Sequence, residues 1–213
     1  MVSVRPVTPA GLVTEIVDTI VRRAGDRPWT RVAIDGADAA EPGAVADALV
    51  APLRLLGRPV LRVRAGDFLR PASVRLEYGR TDAESYLWGW LDDAGLRREV
   101  LEPLGTGGTG RVLPSLWDAA RDRATRADYT TLEPGGVLVL DGPLLLGKGL
   151  PLDLTVHLWL SPGALKRRTP AAAAWTLEAL ERYADEIAPA TEADVCVRYD
   201  HPAHPAVVER EHP

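Results

Sequence analysis

Only one cysteine, Cys196, occurs in the 213 residues. No intramolecular disulfide can form, and a reducing cytoplasmic compartment is the expectation. Lysine is nearly as scarce: Lys148 and Lys166 are the only two among 25 basic residues. No run of eighteen apolar residues exists, which excludes a membrane-spanning helix. The first nine residues carry Arg5 but do not read as a secretory signal. Positive charge is in deficit, with 25 basic residues against 30 acidic ones. Nonspecific nucleic-acid binding requires a basic face, so neither a nucleic acid nor a membrane is expected as a partner. The acidity has its plain reading in solubility.

The apolar fraction of 46% is that of a globular chain, not a disordered one. Its length suits a single α/β domain over residues 1–213 with a proper core. Thr8 and Pro9 are a helix start, and Leu12, Val13, Ile16, Val17, Ile20 and Val21 follow at helical spacing. This N-terminal helical unit occupies residues 1–28. Residues 31–35 form a short apolar run that enters a loop at Gly36. A helix over 42–56 follows, with Val45, Leu49, Leu53 and Leu56 inward, and a strand over 59–63. Strand, loop, helix and strand in about thirty residues make a βαβ unit with parallel strands and a right-handed crossover. Residues 81–101 read as helical. Strands follow at 137–140, 154–160 and 194–199, with a helix over 171–187 and a loop-like tail over 200–213. The alternation predicts a doubly wound, mainly parallel five-stranded sheet flanked by helices, a three-layer α/β/α architecture. In such sheets ligands bind beyond the carboxyl ends of the strands. Those ends here are Asp35-Gly36, residues 64–67, Asp141-Gly142 and Leu160-Ser161.

The loop after the first strand has the context of a phosphate-binding P-loop, G-x-x-x-x-G-K-[ST], but not its chemistry. Gly36 stands at the first glycine, Glu41 at the second, Pro42 at the lysine and Gly43 at the Ser/Thr; Asp38 lies between. Glu41 brings a carboxylate toward phosphate and a Cβ to a site where glycine accepts positive φ. Pro42 removes an ammonium and an N–H donor together, and Gly43 removes the magnesium-binding hydroxyl. The same residues still start a helix well. The motif alone leaves two readings open: an ordinary βα turn, and a P-loop that has lost its ligand.

Other segments follow in an order that resembles the uridine-kinase-like proteins of the nucleoside kinase and phosphoribulokinase group of P-loop kinases. RVAIDGADAA resembles their opening. Gly66-Asp67-Phe68-Leu69-Arg70-Pro71 is similar to their Asp-Asp-Phe-His-Arg-Pro segment. Arg75, Gly79-Arg80 and Ser85-Tyr86 resemble the substrate-region spacing. Residues 96–105 resemble the next helix and loop, and Trp117-Asp118 an aromatic-Asp pair. LVLDGPLL over 138–145 and the 194–205 segment resemble later strands. The resemblance covers roughly residues 10–208.

It implies a P-loop kinase-like fold, and a family activity of phosphoryl transfer from ATP to a hydroxyl with magnesium. It assigns Asp141 to magnesium or water orientation, and Asp67 to the second position of the acidic pair whose catalytic first position is here Gly66. From the residues, Asp67 reads first as a turn or helix-capping residue, and second as a general base. Arg167 and Arg168 fall at the start of a reduced lid region over 163–190, either as phosphate clamps or as a solvated basic face. Arg70, Arg80, Tyr86 and Trp117 would border the acceptor pocket. Lys148 lies on the ligand side of the sheet, as a relocated phosphate lysine or a loop lysine. With Glu41, Pro42, Gly43 and Gly66 all altered, the expectation is an impaired or inactive kinase relative that acts by binding a nucleoside-like or sugar-phosphate-like ligand or a partner. ATP and Mg²⁺ are cofactors only if the alternative holds, an active kinase with rearranged contacts. A third alternative is another reaction in the acceptor pocket without nucleotide. A homodimer is compatible with all three.

Three further patterns carry less. The G-x-G-x-x-G match over 105–110 follows a helix instead of a strand, against a dinucleotide site. Pro202 and Pro205 place His201 and His204 in an extended loop, a poor metal frame. Tyr86, Trp88, Trp90 and Leu91 are too closely spaced for one helix face, so they divide between core and cleft.

Overall fold

The structure, a computed structural model, describes residues 2–210. Met1 and the last three residues of the expected tail lie outside the described residues. The main sheet has seven strands: β1 (Val2–Pro6), β2 (Trp29–Asp35), β3 (Val60–Arg64), β4 (Gly136–Gly142), β5 (Leu154–Trp159), β6 (Val195–Arg198) and β7 (Ala206–Arg210). Their spatial order is β1-β7-β6-β5-β2-β4-β3. The five strands from β6 to β3 pair in parallel, while β7 runs antiparallel to both β6 and β1. The expected parallel sheet is therefore present, but the count of five is corrected to seven. The chain start and the supposed loop tail pair with each other at one edge. Neither segment can be recognised as a strand by itself, because the pairing joins residues about 200 positions apart: Arg5 stands opposite Val207.

Helix α1 (Pro9–Ala24) begins where expected, with the Thr8 hydroxyl accepting from the Gly11 N–H at 3.0 Å. Its buried stripe, Leu12, Ile16, Val17 and Ile20, packs with Val32, Ile34 and Val156 on one face of the sheet. On the other face Leu138, Leu140 and Val63 pack with Phe68, Leu96 and Leu101. β2 is central among the parallel strands and buried except at Arg31, with Val32, Ala33 and Ile34 at its core.

Two helices depart from the expected form. The 42–56 helix is broken into α2 (Pro42–Ala48) and α3 (Val50–Leu55). Pro52 has no N–H with which to continue the ladder across the break. The change of direction turns Leu56 outward, against the expected inward face: it is 58% exposed, while Leu49 and Leu53 are fully buried. The 81–101 helix is interrupted at residues 90–92. There the Arg70 N–H donates to Trp90 O and the Asp92 N–H to Phe68 O, each at 2.8 Å. Asp92 then caps the next helical turn through the Gly95 N–H. Toward the C-terminus come α4 (Pro162–Arg168) and α5 (Leu177–Glu186). Residues 171–176, expected at the start of α5's helix, form a separate 3₁₀ segment.

Candidate functional site at the strand ends

The carboxyl ends of β2, β3 and β4 open into a cleft of about 590 Å³, where the topology places ligand sites. Its floor is the loop from β2 into α2. Gly36 N–H donates to Gly142 O at 3.3 Å, Ala40 N–H to Ala37 O at 2.7 Å, Glu41 N–H to Asp38 O at 2.9 Å, and Ala44 N–H to Glu41 O at 2.9 Å. Residues 38–40 thus form a 3₁₀ turn whose bonds are spent inside the loop. Glu41 adopts φ 54°, ψ 52°, the left-handed conformation that glycine takes at least expense. The backbone therefore keeps a glycine-type turn, with a carboxylate placed on it. Pro42 follows at the first turn of α2 and offers no N–H.

Charge on the cleft wall points the same way. Asp38, Glu41, Asp47 and Asp141 line it, against Arg64 and Lys148. Asp38 is exposed at the mouth of the cleft, yet the protein around its carboxyl raises it above the usual range, and Asp141 adds to the rise. Asp141 itself is 7% exposed at the end of β4. Burial pushes it upward as well, opposed by Arg62. The Arg62 Nη2 stands 2.7 Å from Asp141 Oδ1, off the direction of a well-formed hydrogen bond. The same guanidinium reaches Asp47 Oδ1 at 2.9 Å and Val139 O at 3.0 Å.

These features decide the fit of ATP and magnesium. Two of the loop's N–H groups, those of Ala40 and Glu41, bond within the loop, Pro42 has none, and the Glu41 carboxylate stands on the turn. Asp141 is already paired with a cation, and Gly43 carries no hydroxyl. Among the described residues no group of three His, Cys, Asp or Glu side chains could hold a metal ion. The residues present do not fit a nucleotide phosphate with its magnesium. Gly43 is packed against the acid: a Cβ there would stand 3.0 Å from Asp141 Oδ2, closer than side chains ordinarily approach. Gly66 also lines the cleft, and a Cβ on it would meet nothing within 4 Å.

The opposite wall is aromatic. Tyr86 and Trp90 line it, with ring centroids 5.2 Å apart and nearly perpendicular. Trp175, from the segment before α5, packs on both at 5.2 and 5.4 Å. Trp88 instead is 37% exposed, so the aromatic group divides as expected. Arg75, 9% exposed, lies 5.2 Å from the Trp90 ring centroid and donates to Ala119 O.

Of the residues proposed from sequence, Asp38, Glu41, Pro42, Gly43, Tyr86, Asp141 and Lys148 come together in this cleft. Gly36, Asp67, Arg70, Arg80, Trp117, Arg167 and Arg168 are outside its lining. Gly36 is buried beneath the loop with its closest approach to Leu158. Asp67 sits in the turn after β3, where its backbone carbonyl accepts from Leu116 N–H. Arg70 faces Asp93 at 3.5 Å, and Trp117 Nε1 donates to Asp122. Arg168 donates to Tyr199 O at 3.0 Å, and Arg167 is exposed on α4. His201 and His204 pack ring to ring, 5.0 Å apart, in a turn.

Sequence reasoning missed a buried network behind the loop. Asp35, fully buried, accepts from Leu145 N–H at 2.9 Å, lies 2.6 Å from His157 Nδ1, and accepts from the Tyr183 hydroxyl at 3.2 Å. Tyr183 in turn accepts from Leu146 N–H. Its own pKa is well above the ordinary value, first through burial and then through Asp35. The available signal was two polar residues, Asp35 and His157, at the end or middle of apolar strand runs.

No family model matches the chain, and no match is found among the curated proteins. Solved structures do match. A protein described as a possible uridine kinase from Bacillus stearothermophilus superposes with a TM-score of 0.69 at 17% identity, covering 86% of this chain and 96% of that one. A protein assigned as a fructose transport system kinase from Silicibacter sp. TM1040 gives 0.59 at 21% identity, covering 85% and 89%. D-glycerate 3-kinase from Cryptococcus neoformans var. grubii gives 0.50 at 14%, covering 83% and 79%. The chain has a uridine-kinase-like P-loop kinase fold.

Proposed function

We propose that this protein is a ligand-binding relative of the uridine-kinase-type P-loop kinases that does not perform ATP-dependent phosphoryl transfer. The observation that carries this reading is the loop from β2 to α2, whose N–H groups at Ala40 and Glu41 bond within the loop. Phosphoryl transfer depends almost wholly on positioning and on charge stabilisation of the phosphates. Here an acid stands at the turn, proline at the lysine position, and Arg62 on Asp141. The ligand is a small nucleoside-like or sugar-like molecule held between the acids and the Tyr86–Trp90 wall, in a cytoplasmic protein. No described helix is long and apolar enough to cross a membrane.

Calorimetric titration with ATP and Mg²⁺ tests the reading. No detectable heat at millimolar nucleotide is expected. Micromolar binding overturns it, and would favour a kinase with rearranged contacts; the observation in favour of that second reading is that Lys148 lines the same cleft. The triple change Glu41→Gly, Pro42→Lys and Gly43→Ser restores the loop chemistry. It is expected to gain nucleotide binding without turnover, because Gly66 still lacks the acid. Turnover in the triple variant would show that the acid lies elsewhere.

A further inference from the structure

We propose that a second, smaller cavity beside the Asp35–His157 pair is a binding site for a short, uncharged aliphatic alcohol, whose hydroxyl donates to His157 Nε2. The cavity shares no lining residue with the strand-end cleft.

His157 stands between Val156 and Leu158 in β5, and parallel pairing with β2 puts it directly opposite Asp35. Asp35 is fully buried and His157 is 7% exposed. Both oxygens of Asp35 are occupied. Oδ1 accepts from Leu145 N–H at 2.9 Å, and Oδ2 accepts from the Tyr183 hydroxyl at 3.2 Å. Burial raises the Tyr183 hydroxyl well above its ordinary pKa, so it keeps the proton it donates. A carboxylate that accepts on both oxygens makes the 2.6 Å contact with His157 a bond from Nδ1–H to Oδ2. With the proton on Nδ1, the neutral ring presents its lone pair at Nε2.

Nε2 is the group left over. It has no partner among the described residues, and it keeps access to solvent. His157 lines a cavity of about 110 Å³ together with Leu165 of α4, Leu180 and Tyr183 of α5, and Pro189. Ala184, exposed on α5, stands at its rim. Apolar walls with one well-placed polar group are what fix the orientation of a small ligand. A nearly buried acceptor without a donor is a hydrogen bond not made, and a ligand O–H supplies it. The volume is below the roughly 150 Å³ that holds a benzene ring, so an aliphatic body of about five heavy atoms suits it better. A carboxylate or an ammonium would lose its hydration against Leu165 and Leu180 without gaining a charged partner.

The full chain, with isotope-labelled histidine, is titrated at pH 7 with n-butanol and separately with methyl propyl ether, an isomer of the same size that has no donor. The His157 Nε2 resonance is expected to move with butanol and to saturate in the millimolar range. The ether should bind at least about tenfold more weakly, the effect of one hydrogen bond. Ala184→Phe closes the rim and should abolish the response to butanol. An unchanged His157 Nδ1 signal in that variant reports that the Asp35 pair and the fold are intact. Equal binding of the two isomers, no response of Nε2 to butanol, or retained binding in Ala184→Phe overturns the proposal. Butyrate binding more tightly than butanol would mean that Nε2 donates instead of accepting, and overturns it as well.

Discussion

Arg62 Nη2 lies 2.7 Å from Asp141 Oδ1, so the acid at the end of β4 is neutralised by a side chain of neighbouring β3. A protein cation thus occupies one side of the carboxylate that the resemblance assigns to magnesium. Arg62→Met should remove that compensation and destabilise the fold by about 3 kcal/mol, the lower end for breaking a buried pair, since Arg62 is partly exposed. The loss depends on pH. Asp141 has a raised folded pKa, so its protonated form contributes stability that is present below the unfolded value and lost as pH rises through the folded one. Without Arg62 the folded pKa rises further. The difference between variant and wild type should be small near pH 4 and grow toward pH 7, read by urea denaturation at both pH values.

Glu41 occupies the left-handed region at φ 54°. Glu41→Gly should stabilise the chain by about 0.5–1 kcal/mol, since the relief of a Cβ in that region exceeds the entropy glycine adds to the unfolded state. The urea midpoint at pH 7 checks it. A lower midpoint would mean that the Glu41 side chain stabilises α2 by more than its backbone strain.

The Asp35 network should be strongly coupled. Tyr183→Phe removes one donor to Asp35 and the acceptor of Leu146 N–H, and should cost about 1–2 kcal/mol. His157→Phe removes the 2.6 Å partner of a fully buried carboxylate and should cost about 3 kcal/mol. In the double variant the losses should not add, because both act on Asp35 Oδ2. A double-mutant cycle in urea decides this.

Trp175 anchors the segment before α5 on Tyr86 and Trp90, and Arg182 of α5 pairs with Glu84 nearby. Trp175→Ala should release residues 171–176, with amide exchange there at least about tenfold faster, equivalent to about 1.4 kcal/mol of aromatic packing. Exchange in β2 and β4 should not change. Unchanged protection of 171–176 would place the anchoring elsewhere.

The composition of each apolar run was enough to identify β2 to β6 and α1, because a buried parallel strand and an amphipathic helix each declare themselves within a few residues. The loop's altered chemistry was equally local: Glu41, Pro42 and Gly43 can be read against a motif whose every position has a stated role. The edge pair of β1 and β7 could not be found this way, since each short segment becomes a strand only through the other. The break near Pro52 had a local signal, but its consequence for Leu56 depended on how α3 packs. Arg62 was invisible as a site residue, because arginine in a strand has no meaning until its neighbour is known to end in Asp141. Asp35, His157 and Tyr183 lie 122 and 148 positions apart along the chain from Asp35. Sequence alone determined the layers, the mainly parallel sheet and the departure of Glu41, Pro42 and Gly43 from the P-loop pattern, all properties of local pattern. Only the tertiary structure decided which charges face one another, because electrostatic pairing depends on distance in space and not on separation along the chain.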